Sequence, residues 1–220
     1  MVIETVKRKC AICSTVEFYD TLFSCNEEGY RELDFRPAPP LGDSLGFLIE
    51  SCPKCGYVAH NISIANEPEK VARLIRSRRY KTCDGKKIHS EVAKRYYQNY
   101  ILTRDSAQDI TIFRILRNVI WACDDDPEDD SIAIELRNIL IHMITTILVE
   151  PIDGSFPVSR KELELIKLDY LRRNMSFQKV IYEIESDLPR TSNAYDCIRE
   201  YQRYLSKKEE GSLGTRICVL

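Results

Sequence analysis

The chain has few of the residues, and none of the long apolar runs, on which several classes of protein depend. Its 220 residues include three histidines, one tryptophan and eight glycines, too little glycine for a collagen-like sequence. The longest strongly apolar run covers residues 139–149 and is well short of the roughly 20 residues that a membrane span needs. The first ten residues lack the apolar segment of a secretory signal peptide. We therefore expect a cytoplasmic protein that does not enter a membrane.

Motifs for common enzymatic chemistry are also missing. The chain contains neither a phosphate-binding P-loop nor a G-x-G-x-x-G motif. Residues 42–46, GDSLG, match the string around the nucleophilic serine of some hydrolases, but that serine needs a strand before it and a helix after it. A proline-rich loop precedes Ser44, a strand is predicted after it, and no histidine has an aspartate three residues earlier. We therefore expect no enzymatic activity.

Nine cysteines are present, and four of them form two closely spaced pairs. The odd number and the absence of a signal peptide argue against a disulfide scaffold. The pairs, Cys10-Ala-Ile-Cys13 and Cys52-Pro-Lys-Cys55, have the spacing of a zinc ribbon, in which two knuckles supply four thiolates to one ion. The glycine after Cys55 allows a left-handed backbone there. Four thiolates suit iron as well as zinc, so both metals remain open, and we expect His60 to be a surface residue.

Sequence periodicity changes near residue 67 and predicts an α+β protein. Residues 2–8, 16–23, 30–35 and 46–50 have strand patterns. From residue 67 onward apolar residues recur at helical spacing, and Ser159 with Glu162 fits a capping box. We predict a small antiparallel β zinc ribbon in residues 1–65, an all-α region of stacked helical hairpins in residues 66–210, and a flexible tail in residues 211–220.

Charge is distributed unevenly although the formal net charge is only −2. Residues 66–120 carry 13 Lys and Arg against six Asp and Glu, whereas both flanking regions are acidic. Within this region, a basic stretch could contact phosphates and its tyrosines could stack on bases, or it could be an ordinary solvated face. The basic side chains are Lys70, Arg73, Arg76, Arg78, Arg79, Lys81, Lys86, Lys87, Lys94 and Arg95.

Several short motifs together resemble an uncharacterised prokaryotic family known as a domain of unknown function. The motifs are Cys10-x-x-Cys13, Leu33-Asp-x-Arg36-Pro37, Cys52-Pro-x-Cys55-Gly-Tyr57-Val-Ala, Trp121-Ala-Cys-Asp-Asp125, Asp169-Tyr-Leu-Arg-Arg173 and Glu200-Tyr-Gln-Arg203. The resemblance implies a four-cysteine ribbon before tetratricopeptide-like helices. The chain departs from the family pattern at Met175, where the family usually has glycine in a helical turn.

Together these features predict a non-enzymatic zinc-binding protein whose helical scaffold binds a protein partner. We expect the partner to occupy a groove lined by Tyr96, Tyr100, Trp121 and Tyr170, although core packing is the alternative for these aromatic residues. The alternative function is nucleic-acid binding through the basic stretch. The sequence leaves the oligomeric state open.

Overall fold

The structure is a computed structural model that describes residues 1–149, 158–186 and 194–212. Small antiparallel sheets near the N-terminus are followed by helices, which confirms the α+β class. The strands are β1 (Val2–Lys9), β2 (Val16–Ser24), β3 (Glu50–Ser51) and β4 (Val58–Ala59). Eight α-helices lie in the described residues: α1 (Pro68–Leu74), α2 (Arg78–Lys81), α3 (Glu91–Thr103), α4 (Asp109–Asp124), α5 (Asp130–Ile147), α6 (Arg160–Arg173), α7 (Phe177–Glu185) and α8 (Ala194–Lys207). None of the helices described is long and apolar enough to cross a membrane.

The described chain divides into two compact units. Unit 1 comprises Met1–Glu27 and Pro39–Ala133, and unit 2 comprises the described parts of Glu28–Ala38 and Ile134–Leu220. The boundary that we predict at residue 65 falls inside unit 1, which combines the cysteine pairs with helices α1 to α4. Of the predicted tail, residues 213–220 lie outside the described residues.

In unit 1, β1 and β2 form a long antiparallel hairpin, as predicted. Their register runs from Lys9 opposite Val16 to Ile3 opposite Leu22, and Phe23 is the extra residue of a bulge. Both strands are largely exposed. A two-stranded hairpin of this kind is at best marginally stable alone, so it needs support from the rest of the unit.

The helical core of unit 1 follows the predicted periodicity. Helix α3 begins after Ser90, whose hydroxyl accepts a hydrogen bond from the third residue of the helix. Tyr96 of α3 is fully buried, as are Phe113, Leu116 and Ile120 of α4. Helices α3 and α4 pack against each other through these faces, because side chains three and four residues apart share one side of a helix.

Residues 30–35 do not form the predicted strand. The segment is a turn in which the amide of Phe35 donates to the carbonyl of Glu32, and Phe35 has φ of 64°. Asp34 is buried and accepts hydrogen bonds from the Arg36 amide at 3.0 Å and from the Tyr170 hydroxyl at 3.3 Å. An aspartate that binds a backbone amide two residues later favours a turn over a strand, and this overrides the alternating pattern. The strand predicted at residues 46–50 is likewise a short 3₁₀ turn followed by β3.

Unit 2 contains helices α6, α7 and α8, which pack on one another. Its apolar cluster joins Leu33 from the turn to Leu165 of α6 and to Ile198 and Leu205 of α8. The predicted capping box at the start of α6 is confirmed. The Ser159 side chain accepts a hydrogen bond from the Glu162 amide, and the Glu162 side chain accepts one from the Ser159 amide.

Helix α6 ends in a turn that requires a left-handed residue. The Ser176 amide donates to the Leu171 carbonyl and the Met175 amide to the Arg172 carbonyl, the two hydrogen bonds of a Schellman motif. Met175, with φ of 58°, occupies the position that glycine usually takes.

Candidate metal centre

The first cysteine pair lies in the loop that joins β1 to β2. The Ser14 amide donates to the Cys10 carbonyl at 2.9 Å, and the Cys10 amide donates to the Thr15 carbonyl at 2.8 Å. Ser14 has φ of 59°, a left-handed conformation that costs an L-residue energy. These bonds fold Cys10 to Cys13 into a tight knuckle.

The second cysteine pair repeats this arrangement between β3 and β4. The Gly56 amide donates to the Cys52 carbonyl at 2.9 Å, and the Cys52 amide donates to the Tyr57 carbonyl at 2.8 Å. Gly56 has φ of 73°, which confirms the left-handed backbone predicted after Cys55. The two knuckles therefore have matching hydrogen bonds and matching left-handed residues, although one uses serine and the other glycine.

The four thiols of the two knuckles converge on one point. The sulfur of Cys10 lies 3.7 Å from that of Cys55, and the sulfur of Cys13 lies 3.5 Å from that of Cys52. All four ligand atoms lie within 4.8 Å of one another. Zinc–sulfur bonds of ~2.3 Å at tetrahedral angles place sulfurs about 3.8 Å apart. The predicted ligand set thus comes together at spacings that can hold a metal ion.

Burial and hydrogen bonding set the protonation of these thiols. Burial raises the pKa of Cys10 and of Cys55. Burial also acts to raise the pKa of Cys13, but hydrogen bonds with Thr15, and with Cys52 and Cys55, outweigh it and lower that pKa to about 6. A cation among the four sulfurs favours the thiolate form of each.

A buried carboxylate that the sequence analysis missed connects the hairpin to the second knuckle. Glu50 is 4% exposed, and its Oε1 lies 3.2 Å from Arg8 Nε and 3.4 Å from Thr21 Oγ1. Its Oε2 accepts from the Ile62 amide at 2.9 Å, and the Ile62 carbonyl accepts from the Ala11 amide at 2.8 Å. The available sequence signal was a single charged residue directly after the apolar residues 47–49.

Helix α2 is attached to the second knuckle by one tyrosine. The hydroxyl of Tyr80 donates to the Gly56 carbonyl at 2.5 Å, and burial raises the pKa of Tyr80. His60 is exposed and its Nδ1 donates to the Leu48 carbonyl at 2.6 Å, which confirms that it is a surface residue. Ser44 is buried and donates to the Leu41 carbonyl at 2.7 Å.

The predicted basic patch is only partly available to a partner. Lys70, Arg79 and Lys94 each lie 3.0–3.2 Å from a carboxylate of unit 1. Lys86 lies over the ring of a tyrosine at 6.0 Å, and Arg95 is half-buried. The exposed side chains that make no ion pair within the described residues are Arg73, Arg76, Arg78, Lys81 and Lys87.

The aromatic groove predicted for the helices is wrong. Tyr96 and Tyr170 are fully buried, and their hydroxyls donate to the Leu45 carbonyl and to a carboxylate respectively. Trp121 is 9% exposed and Tyr100 is half-buried. Tyr96, Trp121 and Tyr170 are core residues, because burial of large aromatic rings contributes strongly to packing.

Comparison of the chain with models of protein families, with curated proteins and with solved structures finds no match. The four-cysteine cluster and the helical C-terminal region are both present. The resemblance to an uncharacterised prokaryotic family, and the tetratricopeptide-like character of the helices, therefore stay predictions.

Proposed function

We propose that the chain binds one structural zinc ion through Cys10, Cys13, Cys52 and Cys55. The observation that carries this proposal is the spacing of the four sulfurs, which fits a tetrahedral thiolate site. Four protein ligands fill the coordination sphere, so no position remains for the water that a catalytic zinc ion activates. Iron is the alternative metal, because it accepts the same ligands.

The proposed ion supplies folding energy to a part of the chain that has almost no core. Among residues 1–32, all of which are described, Cys10 is the only buried residue. Cys13 and Cys52 are 39 residues apart in the chain, so a shared ion closes a long loop and fixes the hairpin to β3 and β4. Metal binding of this kind contributes directly to the free energy of folding.

Zinc content and hairpin order test this role together. We expect the purified chain to contain about one equivalent of zinc, measured by elemental analysis, and Cys52→Ser to lose the metal. Hydrogen exchange of the hairpin amides should then accelerate, because the hairpin loses its attachment. Cys25→Ser is the matched control, since Cys25 lies outside the cluster. A Cys52→Ser variant that keeps its zinc, or a hairpin that stays protected without zinc, contradicts the proposal. If the purified chain contains one equivalent of iron instead, the structural ion is iron.

We further propose that the chain is a non-enzymatic binding protein whose partner contacts the outer face of the hairpin. By register, Ile3 lies opposite Leu22, and Phe18 lies two positions from Val16 on the same face. Phe18 is 67% exposed, Val16 45% and Ile3 38%. The same face carries Lys7, Thr5 and Asp20. Exposed apolar side chains surrounded by polar ones are typical of protein-binding surfaces, so this face replaces the predicted aromatic groove as the proposed contact site.

Capture of partners by variants separates this surface from the basic stretch. We expect a protein recovered with tagged chain from its native lysate to survive nuclease treatment and to be lost with Phe18→Glu. Tyr182→Glu on α7 is the control, since Tyr182 is 72% exposed but lies outside the hairpin. Nucleic-acid binding is supported instead if the recovered molecules are lost after nuclease treatment and after Arg76 and Arg78 are replaced by glutamate, but are still recovered with the Phe18→Glu variant.

A further inference from the structure

Unit 1 contains a cavity of about 440 Å³ beside the second knuckle. It is lined by the loop that follows Gly56, by the start of α1, by the C-terminal half of α3 and by the N-terminal half of α4. Its walls include the buried apolar residues Tyr57, Val58, Leu102 and Ile115. This volume lies in the range of small-molecule sites, which are typically concave and mostly apolar with a few polar groups.

One polar side chain in the cavity wall lacks an internal partner. Asn99 of α3 is 6% exposed and lines the cavity. Its backbone carbonyl accepts from the Thr103 hydroxyl at 2.9 Å, but its side-chain amide makes no hydrogen bond within the described residues. Its amide nitrogen and oxygen are not among the fully enclosed polar atoms of the described residues, so they are accessible from the open cavity that Asn99 lines. The amide is therefore available to a ligand in the cavity as both donor and acceptor.

The charges around the cavity leave a net positive group at its rim. Lys70 and Glu67 both line the cavity and neutralise each other at 3.0 Å. Arg114 of α4 also lines it, is exposed, and makes no ion pair within the described residues. His60, at the same rim, already uses Nδ1 to donate to the Leu48 carbonyl. The unneutralised guanidinium therefore favours an anionic group, and carboxylates match its planar donors.

We propose that this cavity binds a small monoanionic organic molecule, with its apolar body against Val58, Leu102 and Ile115 and its carboxylate at Arg114. A second polar atom of the molecule bonds to the Asn99 amide. The site is separate from the four thiols, and the proposal depends neither on the identity of the metal nor on the hairpin surface.

Matched probes test the site in the full-length, metal-loaded chain. The probes are phenylacetate and 4-phenylbutyrate, each compared with its neutral amide, in titrations followed by backbone amide chemical shifts. Fragments of this size, at an ordinary binding energy per non-hydrogen atom, bind with dissociation constants of about millimolar order. We expect the carboxylates to shift the amides of residues 57–67 and 99–115 and to bind about fivefold more tightly than the amides. Absence of shifts at these amides, or equal affinity for charged and neutral probes, overturns the proposal.

Two variants separate the roles of the polar groups. Arg114→Gln, at an exposed position, should abolish the preference for the carboxylate, and Arg78→Gln on α2 is the control because Arg78 does not line the cavity. Asn99→Leu should weaken the carboxylates and the neutral amides alike by roughly fivefold. If Asn99→Leu does not fold, the Arg114→Gln result decides alone. A carboxylate preference that survives Arg114→Gln overturns the assignment.

Discussion

The matched knuckles allow a prediction in which glycine and serine exchange places. Ser14 and Gly56 have φ of 59° and 73° and occupy equivalent positions after the second cysteine of each pair. The left-handed region costs an L-residue about 1–2 kcal/mol, and the greater freedom of glycine in the unfolded chain offsets part of this, about 0.4–1 kcal/mol. We expect Gly56→Ser to lower the free energy of unfolding by about 1 kcal/mol and Ser14→Gly to raise it by a similar amount.

At both positions, backbone conformation is the only contribution that these substitutions change in the free energy of unfolding. A Cβ built on Gly56 meets no heavy atom within 4 Å, so the substitution adds no clash. Ser14 is exposed, and its hydroxyl makes no hydrogen bond within the described residues, so its removal costs no contact. The double variant Ser14→Gly/Gly56→Ser should therefore return to within about 0.5 kcal/mol of the natural chain.

Urea unfolding followed by tryptophan fluorescence measures these differences. Trp121 is the single tryptophan of the chain and is 9% exposed within unit 1, so its emission reports on the unit that contains both knuckles. Free zinc must be held constant with a chelator buffer, because bound metal shifts apparent stability. The equivalence of the two knuckles is refuted if Gly56→Ser leaves the free energy of unfolding unchanged or if Ser14→Gly lowers it.

Two further predictions concern the second unit and the pH dependence of metal binding. Met175→Gly at the end of α6 should raise the free energy of unfolding by about 1 kcal/mol in thermal melts, because Met175 is 64% exposed and has φ of 58°; a loss of stability contradicts the Schellman assignment. Because burial raises the pKa of Cys10 and Cys55, both thiols carry protons at pH 7 without a cation and must release them to bind zinc. The apparent affinity should thus rise with pH by about 100-fold or more per unit near pH 7, tenfold for each proton released, and calorimetry in buffers of different ionisation enthalpy should detect at least two released protons. Release of clearly fewer than two protons would contradict this protonation.

Local patterns predicted the knuckles and one helix cap well. Each knuckle is built from hydrogen bonds among residues only four or five positions apart, such as Ser14 to Cys10 and Gly56 to Cys52. The capping box at Ser159 likewise needs only its own first turn. Such features depend on neighbours in the chain, so residue type and spacing are enough to predict them.

Features that depend on distant residues were predicted poorly. The alternating pattern of residues 30–35 indicated a strand, but burial of Asp34 beside Tyr170 turned the segment into part of the second core. Tyr96 was expected in a groove, because helical spacing does not show whether solvent or protein covers a helix face. Glu50 gave no sign of its three partners, which come from segments 12 to 42 residues away.

The sequence by itself determined which four thiols belong together, that helices follow residue 67 with one of them beginning at Ser159, and that the chain has an α+β fold. Tertiary structure alone decided that the cysteine pairs share one compact unit with α1 to α4, that Tyr96 and Tyr170 are core residues, and that a cavity forms around Asn99. The physical reason is the range of the interactions. Knuckles and caps form from hydrogen bonds within a few residues, whereas burial and cavities result from packing between segments that the chain order does not bring together.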